Sequence, residues 1–139
     1  MSSPKESLMA ILQQAGQSVT KARLAVFAAL EHQEPLTMHE LVGRVPQADR
    51  ASVYRAIELF ERLGITQRIN LGWKYKVELS DKFAAHHHHL TCTQCSRTIA
   101  LSGHELEQFI VRTAREHHFT PTAHQIEIQG ICAACQPAS

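Results

Sequence analysis

The first 91 residues contain no cysteine; all four lie in the C-terminal half, at positions 92, 95, 132 and 135. Aromatic residues are scarce at 6%, so a core built from this chain is mostly aliphatic. Charge of one sign is lacking too, with a formal net charge of +1. Residues 1–80 carry ten Lys/Arg against eight Asp/Glu, and residues 81–139 carry four against five. That balance does not identify a nucleic-acid binder, so any basic surface must come from arrangement on one face. No apolar run approaches the roughly 20 residues of a membrane span. The opening Met1-Ser2-Ser3-Pro4-Lys5-Glu6 lacks the charged and apolar regions of a secretory leader. A cytoplasmic location without a membrane partner is therefore expected. In that reducing compartment paired cysteines favour metal over disulfides.

Catalytic spacings are missing as well. His39-Glu40 and His104-Glu105 lack the second histidine of a His-Glu-x-x-His zinc hydrolase. His32-Gln33-Glu34 has the shape of a deaminase motif, but Thr91 and Ile131, not proline, precede the cysteine pairs. The chain is expected not to be an enzyme. A zinc-ribbon interaction or metal-storage module is one non-enzymatic class that the cysteine pairs leave open.

The 139 residues suit one or two small domains, each small for a self-sufficient core, so a metal or a partner subunit would help. Leu8, Ile11, Leu12 and Ala15 recur at helical spacing before Gly16. Thr20 caps a second helix through Leu24, Val26, Phe27 and Leu30, closed by Pro35, and Thr37 caps a short third helix that Pro46 stops. Asp49 or Ser52 opens a fourth, with Val53, Ile57, Phe60 and Leu63 in one stripe and Gly64 as its stop. The period then changes to two. Ile65–Leu71 and Trp73–Leu79 around Gly72 predict a β-hairpin. Helices followed by a hairpin are the parts of a winged helix-turn-helix, with the third and fourth helices as the pair.

The expected fold class is α+β, with a winged-helix domain over 1–79, a linker over 80–85, and a small α/β domain over 86–139. The last reads as strand (His86–Cys92), strand (Arg97–Leu101), helix (His104–His117) and strand (His124–Ile131).

Cys92-x-x-Cys95 and Cys132-x-x-Cys135 are two knuckles, 36 residues apart. Four thiolates match tetrahedral Zn²⁺ at about 2.3 Å and leave no open position, which makes the site structural. The alternative is a pair of redox disulfides or buried free thiols.

His86-His87-His88-His89 leads into the first knuckle. A tag remnant or a solvated loop is the plain reading. The following Leu90-Thr91-Cys92 favours a strand, whose side chains alternate between faces. His86 and His88 would then serve one ion, and His87 and His89 another. Imidazole with carboxylate suits zinc, iron(II) or manganese. Glu107, His124, Glu78, Glu105, His104, His117 and His118 are available as further ligands, although a glutamate on a helix is usually solvated.

These elements in this order resemble the ferric uptake regulator family. The carrying residues are Arg50-Ala-Ser-Val-Tyr-Arg55 through Ile65, His86 through Cys95, and His124 through Cys135, collinear over about 8–135. The resemblance implies a homodimer that represses metal-uptake genes by binding a palindromic operator when loaded with zinc, iron(II) or manganese. It also implies that His86, His88, Glu107 and His124 hold the regulatory ion between the domains, with His87, His89 and Glu78 at a second site. Ala100 stands where many members have an acid, and Pro35, with His32 and His39 nearby, where they contribute a histidine. The second site is thus depleted. Four consecutive histidines tilt the regulatory metal slightly toward zinc.

In the helix-turn-helix reading the fourth helix enters the major groove and offers Arg50, Ser52, Tyr54 and Arg55. Arg55 would meet a guanine edge or a phosphate, and Tyr54 a thymine methyl. Arg23, Lys21, Lys74 and Lys76 would meet phosphates. The plain alternative is that Tyr54 and Arg55 merely cover the bundle.

Overall fold

A computed structural model describes residues 2–32, 34–72 and 74–138. Trp73, the expected start of the second hairpin strand, lies outside them. The chain divides into two compact units, Met1–Ala85 and His86–Ser139.

In the first unit, helix α1 (Pro4–Gln14) starts from a Ser3–Glu6 capping box, and α2 (Lys21–Leu30) from Thr20, whose side chain accepts the Arg23 N–H. Helix α3 (Met38–Gly43) has a Thr37–Glu40 capping box, and Asp49 accepts the Ser52 N–H to open α4 (Arg50–Arg62). Each cap satisfies donors that the first turn leaves orphaned. The end of α4 is equally local. Gly64 adopts φ +72°, its N–H bonds to Glu61 O, and the Ile65 N–H returns to Phe60 O at 2.8 Å. This left-handed turn suits a residue without Cβ and drops Ile65 into the core.

Strands β1 (Thr66–Leu71) and β2 (Lys74–Leu79) pair antiparallel as the wing. Leu36 adds a bridge to Val77 that no periodicity announces, with bonds of 3.0 and 2.7 Å. The hydrophobic core is confined to this unit, with Leu8, Val26, Phe27, Leu41, Val53, Ile57, Phe60 and Val77 among its buried members. Residues 80–85 do not form an extended tether. Ser80 donates to Ile65 O and Gly64 O, and the Phe83 ring meets Phe27 edge-on with centroids 5.0 Å apart.

The second unit is a three-stranded sheet and one helix. Strand β3 (His88–Cys92) is central, antiparallel to β4 (Thr98–Leu101) and parallel to β5 (Glu127–Gly130). Helix α5 (His104–Glu116) lies between β4 and β5 in sequence and buries no residue. The buried residues here are His88, His89, Thr91, Cys92 and Thr98, while Ile99, Phe109, Phe119, Ile128 and Ile131 are exposed. The fold is therefore α+β: a winged helix followed by a small α/β domain.

Phe60 is wholly buried in the first unit's core. Phe60→Ala is expected to cost about 3–5 kcal/mol in urea denaturation. A loss under about 1 kcal/mol would contradict that placement.

Candidate metal centres and the DNA-reading face

The four cysteines come together because β3 ends at Cys92 and the chain after β5 returns beside it. Backbone N–H groups of Cys95 and Cys132 donate to Cys92 Sγ at 3.5 and 3.4 Å. All four sulfurs lie within 4.8 Å of one another, and none is in a disulfide. Ligands about 2.3 Å from a tetrahedral ion stand roughly 3.8 Å apart; Cys95 and Cys132 Sγ are separated by 3.8 Å. The N–H donors of Cys132 and Cys95 hold the Cys92 thiol down to about 6. Hydrogen bonds with the Cys132 and Cys95 sulfurs push Cys135 up to about 12. Four thiols this close do not all ionise without a cation among them, so the donor set fits a soft divalent ion.

A second convergence centres on Glu107, in the first turn of α5, where the helix dipole favours an anion. His88 Nε2 lies 2.7 Å from Oε1, His124 Nε2 lies 2.5 Å from Oε2, and His86 Nε2 lies 3.5 Å from Oε1. His86 and His124 Nε2 are 3.1 Å apart. Burial opposes ionisation of Glu107, but its bonds to His88 and His124 outweigh this and leave the carboxyl below its ordinary value. The His88 ring is fully buried, and its Nδ1 accepts the Ile126 N–H at 3.0 Å.

The expected alternation holds in space. The His86 and His88 rings pair with centroids 4.8 Å apart, and His87 pairs with His89 at 4.7 Å. Two sequence expectations change. Strand β3 begins at His88 and β5 at Glu127, so His86 and His124 stand just outside the ladders. His86, His88, Glu107 and His124 come together because the start of β3, the first turn of α5 and the approach to β5 meet at one end of the sheet. His104, Glu105, His117 and His118 join none of the ligand groups among the described residues. Glu78 lies on β2 in the first unit, buried, and accepts from Gln67 Nε2 at 2.8 Å.

One carboxylate beside the histidines, Glu127, escaped the sequence reading. His89 is fully buried, and its Nδ1 is 3.0 Å from Glu127 Oε1. The only sequence signal for Glu127 is an acid flanked by Ile126 and Ile128 in a strand.

On α4, Val53 and Ile57 are buried in the core while Arg50 and Arg55 are exposed. Arg50 donates to Tyr54 Oη at 3.2 Å and stacks over its ring, and Arg55 donates to Ser52 Oγ at 3.4 Å. Arg23 donates to Ser18 O at 2.6 Å. Lys76, expected as a phosphate contact, is buried on β2, which removes it from that role; Lys74 is partly exposed.

A winged helix-turn-helix carried in one chain with clustered thiol and imidazole donors defines a metal-binding transcriptional regulator. A family model described as the ferric uptake regulator family matches residues 14–129. The ferric uptake regulation protein of Campylobacter upsaliensis is 32% identical over 94% of this chain and 87% of its own. The Vibrio cholerae ferric uptake regulator structure is 29% identical, with a TM-score of 0.75 over 87% of this chain and 96% of that one. A zinc-bound manganese uptake regulator is 27% identical, with a TM-score of 0.70 over 90% and 98%. The chain belongs to the ferric uptake regulator family.

The quartet geometry leads to a direct expectation. The purified protein is expected to hold about one zinc per chain that survives mild chelation, and Cys132→Ser to lose it. A native mass spectrum showing two intact disulfides would contradict this.

Proposed function

We propose that this protein is a cytoplasmic, metal-dependent repressor that binds a palindromic operator as a homodimer and controls metal-uptake genes. Zinc held by Cys92, Cys95, Cys132 and Cys135 ties β3 to the end of the chain. A regulatory ion is held by His86, His88, Glu107 and His124, and His87 and His89 contribute to a second ion.

The observation that carries the reading is the convergence on Glu107 of α5 of three imidazoles, two from the β3 segment and one from the approach to β5. An ion there links β3, α5 and the approach to β5. Metal shifts the protein toward its DNA-binding form only through higher affinity for that form. The dimer reading draws on the second unit, where the exposed large apolar residues gather and α5 buries nothing within its own chain. A two-fold dimer matches a palindrome because it repeats one recognition helix on each half-site.

His₃Glu accepts zinc, iron(II) or manganese. The names of the relatives do not single out one: one is a ferric regulator and another a manganese regulator with zinc bound. Operator DNA selected from a random pool and titrated with buffered Zn²⁺, Fe²⁺ and Mn²⁺ decides between them.

Glu107→Ala is expected to abolish metal-dependent operator binding in a mobility-shift titration while one zinc per chain remains. Metal-free protein that binds the operator as tightly as loaded protein would refute the model. Arg55→Ala is expected to weaken operator binding by roughly 1–3 kcal/mol with unchanged metal content. Unaltered affinity would remove Arg55 from the DNA-reading face.

A further inference from the structure

We infer that Glu127 is the positioning residue of the second metal site, holding His89 in the tautomer that presents Nε2 to a divalent ion. The inference rests on the reading of His87 and His89 as metal ligands.

The register of the sheet creates the contact. His89 on β3 stands opposite Glu127 on β5 in the parallel ladder. His89 Nδ1 lies 3.0 Å from Glu127 Oε1, and Gln125 Nε2 donates to the same oxygen at 2.8 Å, which restrains the carboxylate. A carboxylate only accepts. The ring proton therefore sits on Nδ1, and the neutral ring keeps a lone pair on Nε2. Histidines that bind metal usually donate their other ring N–H to an acceptor of this kind, which fixes the tautomer and raises ligand basicity.

The neighbouring residue shows that this polarity is not a general property of the strand. His88 Nδ1 accepts the Ile126 N–H, so its neutral ring carries the proton on Nε2 and donates to Glu107. Adjacent buried histidines thus hold opposite tautomers, set by one backbone donor and one carboxylate.

The test uses the full chain with its cysteine zinc in place, in a Glu107→Ala background that disables the first site. Co²⁺ is titrated against a chelator and read by its visible absorption, with His89→Ala assigning the signal. Long-range ¹H–¹⁵N NMR reports the His89 tautomer. Glu127→Leu is expected to weaken cobalt binding about 10–100-fold and to move His89 off the Nδ1–H form. Glu127→Gln retains an acceptor, so it is expected to keep the tautomer and most of the affinity. Unchanged affinity and tautomer in Glu127→Leu overturn the positioning role alone. Should that variant not fold, a Glu127→Gln protein with His89 switched to Nε2–H and undiminished cobalt binding overturns it equally. If the Glu107→Ala protein binds no cobalt, the second site itself falls, and the inference with it.

Discussion

The second unit buries imidazoles and a thiol where a domain normally buries aliphatic side chains. His88, His89 and Cys92 are inside, beside Thr91 and Thr98, whose hydroxyls bond to each other at 3.1 Å. Each buried polar group left without a partner costs about 1–3 kcal/mol, so such an interior is stable only when its donors and acceptors are matched. Glu107, Glu127 and the Ile126 N–H match the histidines. Structural zinc contributes on the order of 10 kcal/mol to the folding of small domains. Here an ion at the quartet would replace much of the missing apolar core. Stability and metal loading are then one property of this unit.

The first unit is built on the opposite principle. Its helices are capped by side chains, its core is aliphatic with Phe27 and Phe60 at the centre, and α4 is anchored by Val53 and Ile57. This division suits the proposed regulator: its DNA-reading surface would be preformed, and the responsive chemistry would sit in the domain that is least able to hold itself together without ligands.

The central strand gives the metal-binding half its economy. One extended run of four histidines presents pairs to two faces. Each face finds a different carboxylate, Glu107 from α5 and Glu127 from β5. The shared scaffold also means that substitutions in β3 disturb both sites, whereas Glu107 and Glu127 address them separately.

Much of this was legible from the sequence because its causes are local. Thr20, Thr37 and Asp49 cap helices through bonds three residues long, Gly64 ends α4 through its own φ, and the Cys-x-x-Cys spacing and histidine alternation follow from chain geometry. Other features depended on partners distant in sequence. The bridge of Leu36 to Val77 and the burial of Lys76 arise from how segments pack, not from their own pattern. Helical periodicity left Glu107 and Glu105 equal as partners to the histidines; the resemblance singled out Glu107, and the fold brings its carboxylate to their rings. Pairing Glu127 with His89 required the strand order β4-β3-β5 and its parallel register. Residue types and short spacings determined that thiols and imidazoles would bind metal; only the tertiary structure decided which carboxylate each ring meets, because a ring nitrogen selects its partner across a sheet and not along the chain.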